Sequence, residues 1–135
     1  MTLEMIDSQT ITDDGIPSAV AMVMSALEAG QGSHDDRRAD QRRQHRVAAL
    51  LRLFSDQPSA APWLLYTRDI SVRGLGFLSR HRLPLGYGGI VEFIGPDGKK
   101  FNLHCTLLRC REASPGWFEG NVYFNRQQPQ FDPAA

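Results

Sequence analysis

A chain of 135 residues, 41% of them hydrophobic and 9% aromatic, makes one domain of ordinary size that needs neither disulfides nor a metal to hold a core. That content is too high for intrinsic disorder, and no apolar run reaches the roughly 18 residues of a membrane span. The formal net charge of zero hides a segregation: residues 1 to 36 carry seven acids and no Lys or Arg, residues 37 to 111 carry fourteen bases against five acids, and the remainder carries three acids and one base.

A basic body behind an acidic leader suits an anionic ligand, or equally a leader whose acids neutralise the body. Residues 1 to 15 are polar and lack the basic start of a secretory signal, so a cytoplasmic protein is expected. A helix is predicted near 17 to 29, with Pro17 in its first turn and Gly30 as its stop. Val20, Val23, Met24 and Leu27 form its apolar stripe, which either packs on the main domain or serves an oligomer or partner contact. The acidic leader is thus residues 1 to 35, and an arginine-rich polar linker, 31 to 45, overlaps its end.

From Arg46 onward the pattern changes to short apolar runs between turn signals. Strands are predicted near 46 to 54, 62 to 70, 74 to 80, 88 to 94, 99 to 110 and 117 to 125, and Gly-Pro-Asp-Gly at 95 to 98 reads as a hairpin turn. Six short antiparallel strands in so few residues call for a closed β-barrel or a small sandwich, because closure removes exposed edges. Residues 127 to 135, with Pro129 and Pro133, leave no room for an α-helix and are expected to be a disordered tail. Cys105 and Cys110, an odd number of residues apart on one strand, are expected on opposite faces as reduced thiols. His34, His45, His81 and His104 show no metal-ligand spacing, so no metal site is expected.

Two motifs stand out. Arg42 and Arg46 form R-x-x-x-R just before the first strand, and Asp69-Ile-Ser71-Val-Arg-Gly74 leaves the second strand and turns into the third. Either is weak alone. In this order, followed by Gly-Leu-Gly-Phe and Leu-Pro-Leu-Gly, they resemble the PilZ domain, the bacterial receptor module for cyclic di-GMP, over roughly residues 36 to 126. The resemblance implies a mainly β fold, a six-stranded antiparallel barrel here preceded by the amphipathic helix.

The residue chemistry is consistent with it. A guanidinium donates two parallel hydrogen bonds to guanine O6 and N7, stacks on a base, or contacts phosphate. A carboxylate such as Asp69 accepts from guanine N1–H and the exocyclic amine, and Ser71, two residues on, is expected on the same face. Gly74 is expected to supply a tight turn and to let ligand approach the backbone. By resemblance, Arg42 and Arg46 fold over the ligand with Arg43 on phosphate or base, while Asp69, Ser71 and Gly74 form the floor; the linker orders on binding.

The expected function is signal transduction: a cyclic di-GMP-binding receptor or adaptor that passes the second-messenger level to a protein partner. The alternative is a nucleotide-independent PilZ-like interaction module of a motility or secretion complex. A single-stranded nucleic-acid binder would show aromatic platforms among its arginines, and only Phe54 and Tyr66 lie near them in sequence. With no nucleophile elbow, Walker loop or His-Glu metal motif, no enzyme, catalytic residue or cofactor is expected. A homo-oligomer through the helix remains open.

Overall fold

The computed structural model describes residues 16–31 and 42–133. They form a helix α1 (Ser18–Gln31) and seven strands: β1 (Arg43–Gln44), β2 (Ala48–Leu53), β3 (Trp63–Ile70), β4 (Gly74–Ser79), β5 (Tyr87–Ile94), β6 (Lys100–Ser114) and β7 (Trp117–Phe124). A single 3-10 turn, Pro129–Phe131, follows. α1 continues through Gly30, the predicted stop, to Gln31.

Strands β2 to β7 close into a six-stranded antiparallel barrel in the order β2-β3-β4-β7-β6-β5, with β5 returning to β2. The short β1 pairs with the end of β3. Alternation builds the interior: Ala49, Leu51 and Leu53 of β2 are buried while Ala48, Leu50 and Arg52 face out. The β5–β6 connection is the expected turn, closed by Gly95 N–H to Lys99 O at 2.7 Å, with Gly98 at a φ of 87°.

The odd spacing of the cysteines does not separate them. A bulge in β6 between Leu107 and Arg109 adds one residue and reverses the alternation, so Cys105, Leu107 and Cys110 are all buried while Leu108 is exposed. Both thiols are free, and burial pushes that of Cys105 up to about 12. β6 also runs four residues past the predicted end, to Ser114 opposite Trp117.

The tail expected to be disordered is ordered as far as Pro133. Proline excludes an α-helix but suits the start of a 3-10 turn, and this one drives Phe131 to 1% exposure among Phe93, Phe101 and Phe124. Phe131 stoppers the barrel end beside the 95–98 turn. Gln128 N–H to Val72 O, at 2.8 Å, and Phe124 N–H to Arg73 O, at 2.7 Å, stitch this segment to the turn after β3.

α1 covers the outer face instead. Ile16, Val20 and Met24 bury against Leu78, with Val23, Leu27, Tyr66 and Trp117 beside them. The predicted stripe is therefore occupied by packing within the chain. Among the described residues no helix is long and apolar enough to cross a membrane.

Candidate functional site

A second bulge, in β3 between Thr67 and Asp69, sets the position of the site. Strict alternation would place Thr67 and Asp69 on one face. The extra residue, Arg68, leaves Thr67 and Ile70 buried and turns Asp69 to the outer surface, where its side chain is 23% exposed. Asp69 Oδ1 accepts from Arg42 Nη1 at 2.7 Å and from Gly76 N–H, on β4, at 3.2 Å.

The arginine segment reaches Asp69 because β3 holds it. Gln44 lies opposite Asp69 and Arg43 opposite Ile70, and His45 N–H donates to Arg68 O at 3.0 Å. The buried Thr67 hydroxyl donates to His45 O and accepts from Val47 N–H. The His45 ring, in the Nε2–H tautomer, donates to Ile94 O at 2.7 Å. Burial holds this imidazole below its ordinary pKa; the bond to Ile94 opposes that and the charge of Arg43 adds to it. Of the linker expected to order on binding, residues 32–41 lie outside the described residues, and 42–45 are already fixed to β3.

The two spaced arginines take different partners. Arg42 lies on Asp69, whereas Arg46 Nη2 donates to both carboxylate oxygens of Glu28 in α1, at 3.0 and 3.2 Å. The Nε groups of Arg42, Arg43 and Arg46 are buried without an acceptor among the described residues. Each unused buried donor carries a desolvation cost that an acceptor would relieve.

Two candidates sit otherwise than their spacing suggested. Ser71 lies beyond the end of β3, is fully buried, and accepts Arg73 N–H at 3.1 Å and Gly74 N–H at 3.3 Å on its hydroxyl. It shapes the turn instead of sharing a face with Asp69, because the two-residue repeat stops with the strand. Gly74 has no positive φ; a Cβ there would lie 2.1 Å from Val122 O, so its bareness admits the close approach of β7.

The residue that leaves room beside the carboxylate is Gly76, where a Cβ would lie 2.7 Å from Asp69 Oδ1. Register carries the surface further: Asp69 pairs with Gly76, Gly76 with Asn121, and Asn121 with Arg109. With strands about 4.8 Å apart, this row spans roughly 14 Å of the outer face. No sequence spacing points to Asn121, and Arg109 was one base among many. Next to the row, Glu119 binds Arg68 at 2.7 Å and Arg111 at 2.9 Å. Burial alone would raise the Glu119 carboxyl, but the two guanidiniums outweigh it and hold the group below its ordinary value.

A model of the PilZ domain matches residues 37–130. The chain belongs to the PilZ domain family. No curated protein matches it. The PilZ match contains the arginine segment, the Asp69 turn and the Asn121–Arg109 row, and leaves α1 outside. PilZ domains are binding and adaptor modules associated with cyclic di-GMP, and among the described residues no group of His, Cys, Asp and Glu could hold a metal ion.

Proposed function

We propose that this PilZ domain is a receptor for cyclic di-GMP that binds the nucleotide on the outer face of the barrel and passes occupancy to a protein partner. The observation that carries this reading is the Arg42–Asp69 pair, held on the surface by the β3 bulge above a glycine floor. Such a pair is a matched set for guanine: the guanidinium supplies parallel donors to O6 and N7, and the carboxylate accepts from N1–H and the exocyclic amine. Binding exchanges one ion pair for contacts with the ligand, so neither group is left buried and unpaired.

Arg43 and Arg46 supply donors and charge for the two phosphodiesters. Ser71 and Gly74 contribute indirectly, by fixing the turn that carries Asp69 and by letting β7 approach. Asn121 and Arg109 extend the floor far enough for the part of the ligand that Asp69 does not reach. Signalling then follows from rearrangement of the arginine segment, which a partner reads.

Calorimetric titration with cyclic di-GMP, with GTP and cyclic di-AMP as controls, tests this. Selective micromolar or tighter binding is expected, weakened about 5- to 150-fold in Asp69→Ala, as loss of one two-point base contact worth about 1–3 kcal/mol requires. Arg42→Ala is expected to weaken it comparably. A folded protein that releases no heat with millimolar ligand overturns the receptor reading in favour of a nucleotide-independent interaction module.

A further inference from the structure

α1 is attached to the barrel at two points of different character. Its apolar side lies on Leu78 between Tyr66 and Trp117. Its last turn is tied by Glu28, whose two carboxylate oxygens share Arg46 Nη2. The Arg46 side chain is 10% exposed and that of Glu28 42%, so the guanidinium is enclosed while the carboxylate remains open to water. Among the described residues Glu28 engages one nitrogen of Arg46, Nη2, and Nε has no acceptor.

Position along the helix makes this contact matter. Glu28 stands in the final turn, where the carbonyl end of the helix disfavours negative charge, and that turn has no basic residue of its own. Arg46 supplies the missing cation from the barrel. A phosphodiester or a guanine edge approaching the arginine segment competes for the same guanidinium donors.

We propose that Glu28 is an internal competitor for Arg46, displaced when ligand enters, so that binding unfastens the last turn of α1 from the barrel. This rests on the receptor reading above. An α1 that has lost Arg46 keeps its apolar contact but faces its own carbonyl end with an uncompensated carboxylate. Its last turn then loosens while Ile16, Val20 and Met24 stay on Leu78, and occupancy of a polar site is converted into mobility of the helix end.

Hydrogen exchange of residues 18–31 with and without cyclic di-GMP, combined with titration of Glu28→Gln, tests the competition. Ligand is expected to speed exchange of α1 in the unmodified protein. Glu28→Gln is expected to bind about two- to fivefold tighter, the range of a partly exposed ion pair, and to show fast α1 exchange without ligand. Glu112→Gln removes a charge elsewhere and is expected to change neither. Equal affinity of Glu28→Gln and the unmodified protein overturns the competition, as does α1 exchange that ligand leaves unchanged or slows; both outcomes leave the receptor reading standing. No binding by either protein overturns both.

Discussion

Gly74 and Gly76 stand two residues apart on β4, and a methyl group at each meets a different obstacle. At Gly74 the obstacle is backbone, Val122 O at 2.1 Å, which moves only if β7 moves. Gly74→Ala is expected to cost about 1–3 kcal/mol or more of stability, read from the urea midpoint. At Gly76 the obstacle is the Asp69 carboxylate, the free end of a side chain that can swing aside. Gly76→Ala is expected to keep most of its stability while weakening cyclic di-GMP binding, because Asp69 leaves both Arg42 and the glycine floor. Titration and urea unfolding of the two variants, side by side, separate a scaffold glycine from a site glycine. Weak binding in Gly74→Ala at full stability would contradict this division.

Among the elements, β3, β6 and β7 are joined outside the barrel by Arg68, Glu119 and Arg111. Because Glu119 titrates below its ordinary value when folded, its contribution is fully present above the unfolded carboxylate pKa of about 4.3 and is lost as pH falls through the lower folded value. Glu119→Gln is expected to lose about 1–3 kcal/mol at neutral pH, and the gap to the unmodified protein is expected to narrow below about pH 4. Urea unfolding at neutral pH and at pH 3 checks the sign; a gap that widens in acid refutes it.

The six barrel strands were legible because glycine and proline mark their ends and alternation marks their faces. What alternation hides is its own interruption. The bulges at Arg68 and Leu108 follow from how adjacent strands twist and pair, and no local residue pattern announced them. Yet one turns Asp69 outward and the other brings both cysteines inward. Arg42 and Asp69 were legible as members of one site through the two motifs they belong to, but not as each other's partner, a contact that only the pairing of β1 with β3 creates. Ser71 was misplaced because the two-residue repeat was carried past the end of its strand, and Asn121 was missed because only register brings it beside Gly76. Glu28 was invisible as a partner of Arg46, since helix and arginine segment meet only through tertiary packing.

For the molecule as a whole, the terminal turn is part of the core. Phe131 contacts three other phenylalanines, and the segment that delivers it is hydrogen-bonded to the turn after β3. Phe131→Ala is expected to cost about 3–5 kcal/mol, visible as a lowered Tm, and through Val72 and Arg73 to loosen the turn that carries Ser71. An unchanged Tm would mean that the turn is an ornament on a barrel already complete without it.

Closure of the barrel also orders its biosynthesis. β7 is the last of the barrel strands to be made and pairs with both β4 and β6, so a nascent chain that has not yet released Phe124 from the ribosome carries two unpaired strand edges. Edges of that kind invite pairing with other chains. Ring closure is thereby deferred until translation has passed β7, and a ribosome stalled before it holds a chain that cannot complete its fold.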